Sequence, residues 1–193
     1  MEKNTSNVDI IKIAIIGPES TGKSTLSEHL AKHYQTLWVP EYAREYCSKL
    51  TGECTLEDEM NMFHGQLASE DAAIASLQSS ADNGQPKLLI CDTTIVTVKM
   101  WCEHVFGSCP PEVQKEFDER YYDLYLLMNI DLPWKEDPLR DFPHLRQYFM
   151  DWYIRLMKEK NANYKIISGS DEERFENAIK VIDEFLSDLK PKP

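Results

Sequence analysis

A chain of 193 residues with 42% hydrophobic and 28% charged side chains carries enough apolar material for one sizeable core. Its formal net charge of -12 argues against nonspecific binding to nucleic acid or anionic membranes, both of which favour basic patches. No apolar run approaches bilayer-crossing length, and Met1 to Asp9 is polar and mixed in charge, unlike a secretory leader.

In chain order, residues 1–9 read as a disordered polar tail, 10–189 as a single domain and 190–193 as a short tail. Pro191 and Pro193 stop any helix from continuing into that last tail. Ile10–Ile16 is the first of five apolar, strand-forming runs. The others are Leu37–Val39, Leu88–Cys91, Leu124–Met128 and Tyr164–Ile167. Helical patterns separate most of them, an alternation that predicts an α/β fold: a five-stranded parallel sheet with helices on both faces. Near-continuous apolar runs such as Ile13-Ala14-Ile15-Ile16 read as buried on both sides.

A helix is expected over Thr25–Tyr34. A longer one carries Met60, Phe63, Leu67, Ile74 and Leu77 on one face. Glu70 falls on that stripe, one turn after Gln66 and with His64 nearby, and the stripe is expected to rotate past it. Asn83-Gly84-Gln85-Pro86 signals a turn, and Cys109-Pro110-Pro111 separates two helices. The last helix shows Phe175, Ala178, Ile182 and Phe185 at helical spacing. Five cysteines (Cys47, Cys54, Cys91, Cys102, Cys109) share no paired metal-ligand spacing, as expected of reduced thiols in a cytoplasmic protein.

Gly17-Pro18-Glu19-Ser20-Thr21-Gly22-Lys23-Ser24 between the first run and the first helix spells a complete phosphate-binding P-loop. Glycines let successive N–H groups turn inward, and the following helix adds positive potential at its start. Gly17, Glu19, Ser20, Thr21, Gly22, Lys23, Ser24 and Thr25 are the expected nucleotide contacts. Lys23 would reach the β- and γ-phosphates of ATP, and the Ser24 hydroxyl would ligate Mg²⁺. A glycine-rich turn capping an ordinary helix is the plain alternative.

Asp92-Thr93-Thr94 follows the third run, where P-loop folds place an acidic residue that helps to hold the metal. The plain alternative is a helix N-cap, since Asp92, Thr93 and Thr94 before Ile95 are all good helix starters, and both readings can hold together. Glu41 and Arg44 follow the second run at i, i+3 spacing. There a carboxylate can accept a hydroxyl proton and an arginine can steady transferred charge. An exposed ion pair would use the same spacing. Residues 131–147, with Trp134, Asp137, Arg140 and Arg146, have the charged, proline-punctuated composition of a mobile lid. Arg140 is the candidate for neutralising the γ-phosphate in transit. Trp134 either stacks on a ligand ring or packs on the body.

Together Gly17–Ser24, Glu41–Tyr46, Asp92–Thr94 and Trp134–Arg140 resemble the ribosylnicotinamide kinase domain of NadR-type proteins. The resemblance implies ATP-dependent phosphorylation of the 5′-hydroxyl of nicotinamide riboside, with Glu41 or Asp92 as base. It implies that Trp134 stacks on the nicotinamide ring, that Asp137 or Glu41 binds ribose hydroxyls beside Tyr42, and that Arg140 belongs to the lid. Pro138 departs from the family's pattern. NadR-type proteins carry an adenylyltransferase domain upstream, and some a DNA-binding one; with only a short polar stretch before Ile10, neither is expected here. Adenine is expected near Ser168-Gly169-Ser170. The partners expected are small molecules, with no nucleic acid and no membrane. A kinase for another nucleoside or small alcohol, and a nucleotide-dependent switch, stay open as alternatives.

Overall fold

The computed structural model describes residues 9–81 and 86–189. The expected polar tails at 1–8 and 190–193, and most of the Asn83–Pro86 turn, lie outside the described residues. The strands are β1 Ile10–Ile16, β2 Leu37–Val39, β3 Lys87–Asp92, β4 Leu124–Met128 and β5 Tyr164–Ile167. The helices are α1 Lys23–His33, α2 Tyr42–Cys47, α3 Leu56–Ser79, α4 Ile95–Phe106, α5 Pro111–Glu119, α6 Arg146–Glu159 and α7 Asp171–Leu189. All strand pairs are parallel, in the order β2-β3-β1-β4-β5, so the expected five-stranded α/β sheet is borne out. β3 extends one residue beyond each end of its apolar run. α1 begins at Lys23 rather than Thr25, because the end of the P-loop is already helical.

Alternation along the strands sorts side chains to two faces. Ile11, Ile13 and Ile15 of β1 pack with Leu26 and Leu30 of α1 and Ala178 and Ile182 of α7. Ala14 and Ile16 point the other way, toward Val96 and Met100 of α4 and Phe149, Tyr153 and Met157 of α6. Both faces of β1 are therefore covered, and the chain emerges from the core at the strand's carboxyl end. That end carries the P-loop.

α3 starts at a reciprocal cap. Asp58 N–H donates to Thr55 Oγ1 at 3.2 Å, and Thr55 N–H donates to Asp58 Oδ2 at 2.9 Å. Its buried face includes Glu59, Gln66 and Glu70 beside Met62 and Phe63. The expectation that the stripe turns past Glu70 is corrected here. The carboxylate is fully buried and accepts Tyr122 OH at 2.8 Å and Arg120 Nη1 at 3.1 Å. Partners contributed from beyond α3 make that burial tolerable.

Glu59 has no such compensation, and desolvation alone pushes its pKa up to about 7. A carboxyl raised on folding is protonated in the native state where the unfolded chain has already lost its proton. Stability is therefore expected to fall as pH rises from about 4.5 to about 7, by about 3 kcal/mol in all from this group. Glu59→Gln should flatten that part of the pH dependence of Tm and raise Tm at pH 8. An unchanged pH profile in the variant would show that Glu59 is ionised in the folded chain.

All five cysteines are free thiols. No helix among the described residues is long and apolar enough to cross a membrane.

Candidate nucleotide and acceptor site

The P-loop leaves β1 through Gly17 at φ +140°, a backbone conformation that side chains rarely adopt. A Cβ on Gly17 would lie 3.0–3.1 Å from the backbone and Cβ of Met128, so the loop can sit against the end of β4 only without one. Two non-glycine residues nearby also hold left-handed backbone, Ser20 at φ 57° and Thr93 at φ 66°. Such conformations cost about 1 kcal/mol or more each and persist where surrounding contacts over-determine them. Thr21 Oγ1 donates to Pro18 O at 2.8 Å, and Thr93 N–H donates to Ile15 O at 3.1 Å.

A cavity of about 330 Å³ is lined by Glu19 to Thr25 on one side and by Glu41, Arg44, Asp137, Leu139 and Arg140 on the other. Three segments far apart in sequence thus meet over the loop. Lys23 Nζ donates to Pro18 O at 3.1 Å. Arg44 pairs with Asp137 at 3.1 Å, and Arg140 reaches the same carboxylate at 3.8 Å. The possible Glu41–Arg44 ion pair is therefore replaced by a bridge from α2 to the 131–147 segment. The Leu139 N–H, then Arg44 and Arg140, hold the Asp137 carboxyl below its ordinary range.

Asp92 is the last residue of β3, and Thr94 occupies the N-cap of α4, accepting Val96 N–H at 3.4 Å. Of the three expected helix starters Thr94 is the cap, which leaves the Asp92 carboxylate uncommitted to the helix. Asp92 is 1% exposed, and apart from the Ser24 hydroxyl beside it neither carboxylate oxygen has a hydrogen-bond partner among the described residues. Burial pushes its pKa up to about 6, with Glu41 adding to the rise and Ser24, Lys23 and Arg44 opposing it. An orphaned buried carboxylate beside Ser24 suits a magnesium ion, which binds through few protein oxygens and keeps most of its shell for water and phosphate.

The 131–147 segment is fastened to the loop. Lys135 N–H donates to Ser20 Oγ at 2.7 Å, and Arg146 Nη2 donates to Ser20 O at 3.2 Å. Phe142 N–H donates to Glu19 Oε2 at 3.2 Å, while desolvation raises the Glu19 pKa above its ordinary value. The structure brings neither Tyr42 nor Trp134 into the cavity lining. The ring of Tyr42 is turned onto Gly65 of α3, and the half-buried Trp134 has its indole N–H enclosed without a partner.

On the other side of Ser20 and Gly22 lies a larger cavity of about 570 Å³, lined among others by His29, Leu132, Ser170, Glu172 and Phe175. It includes Ser170 of the loop where adenine is expected. Arg174, 3% exposed, joins the two regions and was not singled out from the sequence. Its guanidinium donates to Thr21 O at 2.8 Å and Gly169 O at 2.7 Å, and it pairs with Asp131. The sign was available. Residues 174, 178 and 182 form the buried stripe of α7, and an arginine on such a stripe needs partners.

The chain is 29% identical over 179 residues to the trifunctional NAD biosynthesis/regulator protein NadR of Salmonella typhimurium, covering 91% of this chain and 43% of that protein. It thus spans less than half the length of this relative. A crystal structure of NadR protein in complex with NR superposes with a TM-score of 0.73 at 20% identity, over 95% of this chain and 53% of that one. Thymidylate kinase from Ehrlichia chaffeensis gives a TM-score of 0.64 at 16% identity, over 91% of this chain and 98% of that one. At such identities the two structures speak for a shared fold, and the resemblance to NadR-type proteins read from the four segments is borne out. Residues 12–174 match the AAA domain family, and the chain is a member of that family of P-loop proteins.

Proposed function

We propose that this domain is a cytoplasmic ATP- and Mg²⁺-dependent nucleoside kinase that phosphorylates the 5′-hydroxyl of nicotinamide riboside. The observation that carries the reading is the shared cavity, in which a phosphate-binding loop faces a carboxylate and two arginines from other segments. A protein that only binds nucleotide has no use for that second wall. In this reading the loop amides and Lys23 hold the triphosphate of ATP. Ser24 and Asp92 hold the magnesium, which when bound neutralises phosphate oxygens. Glu41 accepts the proton of the attacking hydroxyl. Arg44 and Arg140, exchanging Asp137 for phosphate oxygens, stabilise charge on the group in transit. Similarity to NadR-type proteins over nine-tenths of the chain supports nicotinamide riboside as acceptor.

The test is ADP formation from ATP across a panel of nucleosides. Nicotinamide riboside should give the highest kcat/KM. A different preferred nucleoside would move the substrate and keep the reaction. Nucleotide binding without acceptor-dependent ADP release would leave a nucleotide-driven switch. Because Trp134 does not line the cavity, Trp134→Ala is expected to change KM for nicotinamide riboside by less than about threefold. A rise of about tenfold, the scale of a desolvated cation–π contact, would restore the stacking role.

A further inference from the structure

We infer that Gln66 is a positioning residue that fixes the start of α2 and, through it, the Glu41 carboxylate. The inference rests on the kinase reading, in which Glu41 is the base.

α2 is six residues long, too short to hold itself in place, so its location must come from what it packs on. Its N-cap is Glu41, whose side chain makes no capping hydrogen bond. First-turn amides have no acceptor within their own helix and need one from elsewhere. The amide of Tyr42, the residue after Glu41, finds it across the domain, donating to Gln66 Oε1 on α3 at 2.9 Å. Gln66 is 4% exposed. Since a backbone N–H can only donate, the side-chain oxygen must face it, and this fixes which way the carboxamide points.

The neighbouring residue supplies the second half of the fitting. A Cβ on Gly65 would fall 2.2–2.5 Å from three atoms of the Tyr42 ring, so the ring occupies space that any other residue would fill. α3 therefore offers, at adjacent positions, a gap for the ring and an acceptor for the amide. One turn along α2, Tyr46 OH donates to Asp58 Oδ1 of α3 at 2.9 Å and accepts from Asn61 Nδ2 at 3.1 Å. The rest of the short helix is thus pinned as well.

The far end of the same carboxamide is unmatched, since Gln66 Nε2 is buried with no hydrogen-bond partner among the described residues. An amide kept only for stability gains little from such a site, because an unpaired buried donor offsets what its paired oxygen contributes. What the oxygen does is specific to Tyr42, and Tyr42 is one peptide unit from the group that faces Lys23 across the cavity.

A double-mutant cycle tests this, using the full chain with ATP and nicotinamide riboside. Gln66→Met should lower kcat by about tenfold, the scale of a misplaced catalytic group, with the Kd of a fluorescent ATP analogue unchanged. In a Glu41→Gln background the same substitution should change kcat by less than about twofold. Gln66→Glu keeps an oxygen acceptor and should recover most of the loss. Additive effects of the two substitutions, or equal loss in Gln66→Glu and Gln66→Met, would overturn the inference. A full-strength Glu41→Gln variant would instead sink the reading of Glu41 as base. Amide hydrogen exchange at Tyr42 provides an arm independent of turnover. It should quicken by about tenfold in Gln66→Met and stay slow in Gln66→Glu, and unchanged protection in Gln66→Met would refute the cap itself.

Discussion

Glu41→Gln is expected to lower kcat for nicotinamide riboside phosphorylation by about 10²- to 10⁴-fold while leaving ATP affinity within about twofold. The substitution keeps size and hydrogen-bonding reach and removes only the ability to take a proton. Glu41 lines the cavity with Lys23, Arg44 and Arg140, whereas the buried Asp92 is not part of that lining. The two carboxylates are near enough for Glu41 to raise the Asp92 pKa, so their roles are separable only by individual substitution. If Glu41→Gln retains more than a tenth of kcat, the base is not Glu41. Asp92→Asn, expected to act through the magnesium dependence, then becomes the candidate to examine.

Arg120→Leu is expected to destabilise the fold by about 3–5 kcal/mol, the usual result of stripping one partner from a buried ion pair. The guanidinium sits 3.1 Å from Glu70, whose side chain is fully buried, and among the described residues Tyr122 would be left as the hydrogen-bond donor to that carboxylate. Burial already raises the Glu70 pKa against the opposing pull of Tyr122 and Arg120, so removing Arg120 raises it further. The variant should therefore lose more stability at pH 8 than at pH 5, where protonating Glu70 is easier. Urea unfolding at both pH values measures this, with Arg120→Leu/Glu70→Gln recovering a large part of the loss. A cost below about 1 kcal/mol at pH 8 would mean that the more exposed partners Asp71 and Glu116 carry the interaction.

The sheet was legible because each strand is a short apolar run ending at a polar or turn-forming residue. β1, β2, β4 and β5 begin and end where those runs do. The P-loop was legible because its constraints are local: Gly17, Lys23 and Ser24 act within eight residues of one another. What stayed hidden depends on pairs distant in the chain. Glu70 looked like a passing residue on a helical stripe because Tyr122 and Arg120 lie 50 or more positions away. Trp134 left two readings open because an aromatic beside charged residues has the same composition whether it turns toward a cavity or into the body. Arg44 was read against Glu41, its helical neighbour, and binds Asp137, 93 positions on. Periodicity reports which face of an element is apolar, and it carries no sign of which remote side chain will answer a buried charge.

Ser20 has a consequence of its own. Its hydroxyl accepts Lys135 N–H, its carbonyl accepts Arg146, and its backbone belongs to the loop that would wrap the phosphates. Arg140 Nη1 also reaches the hydroxyl, at 3.5 Å, so a displacement of Ser20 would pull on three anchors of the 131–147 segment at once. With its backbone already at φ 57°, the residue has little torsional slack to absorb that pull. Loop and segment thus share one small residue as their joint, and a shift at either is transmitted to the other through Ser20.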